Sequence, residues 1–173
     1  MKLLLALAVG ALALGGGSAH VVARDAHGDE VAELRLPASG EFALEYRHSY
    51  YRVPARETFR MTDGGFELVA VSSPSEAVLD YYEIEGARSR RGGEWTLRPA
   101  RRPHFGTMAL AATATGRRTL VAGGERAALY EGKDRLATIV PAAEGLDAAK
   151  GREVIDPVEL HPGAERFYAE QGG

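Results

Sequence analysis

The chain has 173 residues, 45% of them hydrophobic and 26% charged, with 21 Lys and Arg against 24 Asp and Glu for a formal charge of -3, and it has no cysteine. That length fits one domain, and the composition argues against both a disordered chain and a bundle of membrane helices. So mild a charge argues against nonspecific nucleic-acid binding, while the lack of cysteine excludes a disulfide framework, a lipid-bearing cysteine and thiolate chemistry.

The N-terminus departs from the average composition. Met1-Lys2 gives a positive end, Leu3 to Leu14 an uncharged apolar run, and Gly15-Gly16-Gly17-Ser18-Ala19 small residues. These three regions predict a secretory signal peptide over residues 1–19, cut after Ala19 because Gly17 and Ala19 offer small side chains where cleavage needs them. The apolar run is shorter than the roughly 20 residues that span hydrocarbon, and no later segment is long enough. The expected protein is therefore exported, periplasmic or extracellular, and touches membrane only through this segment if it stays uncleaved. Losing Lys2 with the signal would take the charge from -3 to about -4, still mild.

Residues 20–140 read as one β domain. Short β-prone runs recur with turn residues between them at the spacing of an all-β fold, an antiparallel sandwich or partly open barrel built on a meander of short strands, with little helix. Val21 to Arg24 and Glu30 to Leu36 flank the turn-forming Asp25-Ala26-His27-Gly28-Asp29 and predict a hairpin. Phe42 to Ser49, Val53 to Thr62 and Phe66 to Val71 predict the meander. Later strands are expected over Val78 to Ile84, Glu94 to Arg98, Thr107 to Thr115, Arg118 to Val121, Ala127 to Tyr130 and Leu136 to Val140. Residues 141–173 are Ala, Gly and Glu-rich and read as a loosely structured tail, with at most a short helix near Ala164 to Glu170.

Within the meander the alternation assigns faces, since successive strand side chains point to opposite sides. Phe42, Leu44, Tyr46 and His48 share one face of the first strand, and Val53, Ala55, Glu57, Phe59 and Met61 one face of the second. A four-residue loop, Tyr51 to Pro54, would pair Ser49 with Arg56, His48 with Glu57, Tyr46 with Phe59 and Leu44 with Met61. The two polar exceptions then meet, and a carboxylate on an apolar face needs such a partner. The Asp63-Gly64 turn extends the register to Phe59 opposite Leu68 and Met61 opposite Phe66.

This makes His48, Ser49 and Glu57 the candidate binding residues. A pair that only fixes register is the competing reading. No metal or other cofactor is expected: two ligands fall short of the three or four that zinc takes, and no His-Glu-x-x-His occurs. A Ser49 nucleophile with His48 as base is opposed by geometry, because adjacent strand residues face opposite ways. Arg88, Arg90, Arg91, Arg98, Arg101 and Arg102 cluster around Gly92-Gly93-Glu94-Trp95 and read as a solvated hairpin face. No Gly-x-Ser-x-Gly, P-loop or dinucleotide fingerprint is present.

From Phe42-Ala43-Leu44-Glu45-Tyr46-Arg47-His48-Ser49 through Val53-Pro54-Ala55-Arg56-Glu57-Thr58-Phe59 the chain resembles the bacterial family called domain of unknown function 1850, as does Arg118-Thr119-Leu120-Val121-Ala122-Gly123-Gly124. The resemblance covers roughly residues 20–131 and marks His48, Ser49 and Glu57. Ser72 to Glu76 stands where that family often has a glycine-rich loop. The resemblance implies an extracytoplasmic protein associated with tripartite ATP-independent periplasmic transporters for small organic solutes. The expected function is thus an exported, noncatalytic accessory or binding module whose partner is a transporter subunit or a small organic solute. A structural cell-envelope protein is the alternative, and a small hydrolase the weaker one.

Overall fold

The computed structural model describes residues 19–131 and 136–143. The signal segment before Ala19 and the tail helix expected near Ala164 lie outside the described residues.

The first hairpin forms as expected, β1 (Ala19–Arg24) against β2 (Glu30–Arg35), with the Asp25 carboxylate accepting the amides of His27 and Asp29 in the turn. The meander follows as β3 (Glu41–Arg47), β4 (Pro54–Thr62) and β5 (Gly65–Ser73). Then come a short helix α1 (Glu76–Tyr81), the hairpin β6 (Gly86–Arg91) and β7 (Glu94–Pro99), the two-residue β8 (His104–Phe105) and β9 (Met108–Ala111). The hairpin β10 (Thr119–Ala122) and β11 (Glu125–Ala128), a 3-10 turn at Leu129–Glu131, and β12 (Leu136–Ala143) complete the described chain. The last strand continues three residues beyond position 140, where the tail was expected to begin.

The strands form two antiparallel sheets, one ordered β2-β1-β12-β9 and the other β11-β10-β3-β4-β5-β7-β6 with β8 added beside β5. One core joins them, with Val21, Leu34 and Ile139 of the smaller sheet in the same buried cluster as Leu44, Phe59 and Leu120 of the larger. Of the two all-β forms that the strand spacing predicts, the fold is the antiparallel sandwich, and neither sheet closes into a barrel.

The strand expected over Ala127 to Tyr130 gives way to the 3-10 turn after Ala128, that expected over Thr107 to Thr115 is only Met108–Ala111, and β6 has no counterpart among the expected strands. Two further differences shape the site. In the β3–β4 pair Phe42 lies opposite Phe59, Leu44 opposite Glu57 and Tyr46 opposite Ala55, so the connection is the six-residue loop His48 to Val53 and not four residues. Loop closure uses His48 N–H to the Val53 carbonyl and Arg52 N–H to the His48 carbonyl, with Arg52 at φ 59, a left-handed conformation unusual for a residue other than glycine. The second half of the meander matches: Phe59 lies opposite Leu68 and Met61 opposite Phe66. A bulge after Thr58 lets the inward set of β5 switch from Phe66 and Leu68 to Val71 and Ser73.

The other difference is Val78 to Ile84, expected as a strand, where α1 stands. Val78, Leu79 and Tyr82 are buried, a spacing that makes one face of a helical turn and does not fit two-residue alternation. The helix stops because Glu83 takes φ 54 just past the Tyr82 cap.

Candidate functional site

Glu57 points inward from the middle of β4, between Leu44 of β3 and Val71 of β5, and is 2% exposed. A carboxyl group in that position requires hydrogen-bond partners. One comes from α1, whose C-cap carries Tyr82 over the sheet so that its hydroxyl donates to Glu57 Oε1. The hydroxyls of Tyr82 and Tyr46 also hydrogen-bond each other, extending the chain of polar groups to β3. Above Tyr46 lies Arg118, its guanidinium carbon 4.8 Å from the ring centroid and its Nε donating to the Ala111 carbonyl at 2.8 Å. Burial first, and then the nearby Glu57 charge, push the Tyr46 and Tyr82 phenols far above the usual tyrosine range, so both keep their protons.

His48 caps the same cluster from the loop after β3. Its ring stands edge-on to Tyr81 at 4.8 Å, 5.1 Å from Tyr51 and 6.4 Å from Tyr46. Its Nδ1 accepts the Tyr51 amide at 3.3 Å, an arrangement that suits a neutral ring. Burial lowers the His48 pKa, the Arg118 charge lowers it further, and Glu57 pulls the other way. His48 and Glu57 therefore share one buried polar and aromatic cluster, connected through Tyr46, without being cross-strand partners. Ser49, next along the loop, is exposed and faces away from this interior. The tyrosines and Arg118 that complete the cluster are not legible as such in the sequence, where Tyr81-Tyr82 is only an aromatic pair.

On the opposite, outward face of the larger sheet, Glu45 of β3 accepts Arg56 of β4 on one oxygen and Arg126 of β11 on the other at 2.5 Å. The Arg126 hydrogen bond is the main reason its carboxyl titrates below the usual range. Around this triad lies an open cleft of about 680 Å³, also lined by Arg47, Arg52 and Arg117 at one end and by Glu94 and Tyr130. The arginine-rich β6–β7 hairpin reaches the cleft only through Glu94, and the arginines of β6 are exposed, as expected: Arg88 pairs with Asp80 at 2.5 Å and with Glu76 at 3.6 Å, and Arg90 covers Trp95.

Among the described residues no group of three or more metal-ligating side chains is assembled, and no helix is long and apolar enough to cross a membrane. No protein-family model, curated protein or solved structure matches the chain.

Proposed function

We propose that this protein is an exported, noncatalytic binding module that works with a solute transporter outside the cytoplasmic membrane, and that it engages its ligand or partner on the cleft of the larger sheet. The observation that carries the reading is the cleft itself, of a size usual for small-molecule sites and lined by polar side chains that converge from β3, β4, β10, β11 and their loops. Against a hydrolase stands the separation of Ser49, which is exposed, from His48, whose ring is packed among tyrosines. Export rests on the three-part pattern of residues 1–19 and the transporter link on the resemblance around His48, Ser49 and Glu57.

The test is retention of the transporter's membrane or solute-binding subunit, or of its solute, by the exported chain and by an Arg56→Glu variant. The reading expects retention by the natural chain and its loss in the variant; retention of neither subunit nor solute overturns it. A purely structural envelope role is the second reading, favoured by the burial of His48 and Glu57. It expects His48→Ala to change stability alone, with partner retention unaffected by any cleft substitution. Export is tested separately by sequencing the N-terminus of the exported product, which should begin at His20. That cut removes the Ala19 carbonyl to which Leu36 donates, so β1 would lose its first residue.

A further inference from the structure

The cleft is a positive site on a negative protein. Its lining holds Arg47, Arg52, Arg56, Arg117 and Arg126 against Glu45 and Glu94, five positive charges against two negative ones, on a chain whose formal charge is -3. Glu45 holds two of the five. Arg47, Arg52 and Arg117 make no ion pair among the described residues: Arg47 Nε donates to the Arg52 carbonyl, and Arg117 lies 5.7 Å over the Tyr130 ring.

Their backbone is built for the position. The Arg47 amide donates to the Gly116 carbonyl at 2.7 Å, which ties the end of β3 to the loop before β10, and Arg47 Nε ties that end to Arg52 at 3.0 Å. Arg52 and Arg117 both have positive φ, 59 and 49, where glycine is the unstrained choice. Two of these three arginines thus stand on strained backbone at the same cleft, and such strain concentrates at ligand sites. Guanidinium forks match the paired oxygens of carboxylates and phosphates, and the Tyr130 ring supplies an apolar wall beside them.

We infer that the Arg47, Arg52 and Arg117 end of the cleft binds a small organic oxyanion, a carboxylate or a phosphate ester, with Glu45 holding Arg56 and Arg126 in place as the floor of the site. The inference rests on the binding-module reading and names the class of ligand for it. Macroscopic attraction from a net positive lining would also make the affinity fall with salt.

The probes are succinate and glycerol phosphate, with succinamide and glycerol as their uncharged counterparts, followed by amide chemical shifts and calorimetry on the exported chain. Arg52→Gly and Arg117→Gly are the decisive variants, because glycine relieves the positive φ while removing the guanidinium, so melting temperature should hold or rise. The expected result is binding of one or both anions, with the stronger of the two identifying carboxylate or phosphate as the natural group. Each glycine variant should weaken it about tenfold or more, the loss typical of a charged hydrogen bond. Anion binding unchanged in both variants overturns the site. Cleft shifts with the uncharged compounds alone overturn the oxyanion class while sparing the binding-module reading, and no cleft shifts with any of the four overturn the inference and count against that reading as well.

Discussion

The Tyr82 hydroxyl donates to Glu57, joining the cap of a six-residue helix to the centre of a strand. Helix α1 is too short to be stable alone, so its position depends on what it packs against and bonds to. Tyr82→Phe should keep the ring in the core and remove one partner of a buried carboxyl, lowering stability by about 1–3 kcal/mol in denaturant unfolding. Glu57→Leu should be milder than Tyr82→Phe, because an apolar side chain fits between Leu44 and Val71 while the two tyrosine hydroxyls still bond each other. Equal losses in the two variants would mean that the carboxyl contributes by more than satisfying Tyr82.

His48 gives the fold a dependence on pH. Its pKa is lowered in the folded protein, chiefly by burial and then by Arg118. As pH falls through the unfolded value of about 6.5, the unfolded chain takes up a proton that the fold resists, and stability drops until pH is below the folded value. His48→Gln removes this linkage. The melting temperature of the natural chain should fall more steeply than that of the variant from about pH 7 to about pH 5. Parallel curves would show that the His48 ring titrates normally. The tyrosines act at the other end of the scale: Tyr46 and Tyr82, with raised pKa values, stabilise the fold at neutral pH and lose that contribution as pH rises above about 10.

The register of β3 against β4 explains what was and was not legible in the sequence. Alternation identifies the inward set, Phe42, Leu44 and Tyr46 facing Ala55, Glu57 and Phe59, and the sandwich follows from it. It cannot choose between registers that differ by an even number of residues, because each keeps the same faces together. The deciding signal lies on the outer face, where Glu41 meets Arg60 at 2.6 Å and Glu45 meets Arg56. The four-residue loop would set Glu45 opposite Arg60 but leave Arg56 opposite Ser49 and Glu41 opposite Gly64, so it makes one such pair where the six-residue loop makes two. The six-residue loop was hidden because Arg52, and no glycine, takes its left-handed position. The cleft was hidden for another reason. Its arginines are scattered from position 47 to 126, whereas the local run from Arg88 to Arg102 drew attention to a hairpin whose cations are exposed or paired.

Cross-linking checks that register directly. Met61 donates to the Gly40 carbonyl and His48 to that of Val53, which makes the even-numbered β3 positions the hydrogen-bonded ones and places Glu41 and Arg60 in a non-hydrogen-bonded pair. Such pairs hold their Cα atoms about 4.5 Å apart, within the range of a disulfide. The chain has no cysteine of its own. Glu41→Cys with Arg60→Cys should therefore form a disulfide under mild oxidation, seen as a mobility shift reversed by reductant, and Glu45→Cys with Arg60→Cys should not. The opposite result would restore the four-residue loop.

Gly64 and Gly65 sit side by side in the β4–β5 turn, yet they are glycines for different reasons. Gly64 has φ +81 and open space where a side chain would go, so Gly64→Ala meets only the conformational penalty, about 1 kcal/mol. Gly65 has an ordinary φ, but a Cβ there would lie 2.1 Å from the Phe105 carbonyl oxygen of β8. Backbone cannot swing aside as a side-chain tip can, so Gly65→Ala must push β8 off β5. The Phe66–Phe105 pairing and the stack of those two rings, centroids 5.8 Å apart, go with it. The loss should be larger than for Gly64→Ala, about 2–3 kcal/mol, comparable to forcing extra atoms into a packed core. Phe105→Ala supplies the internal check. If β8 is already displaced by the Gly65 substitution, the two changes together should cost clearly less than their sum in a double-mutant cycle, whereas full additivity would place the damage somewhere other than the β5–β8 contact.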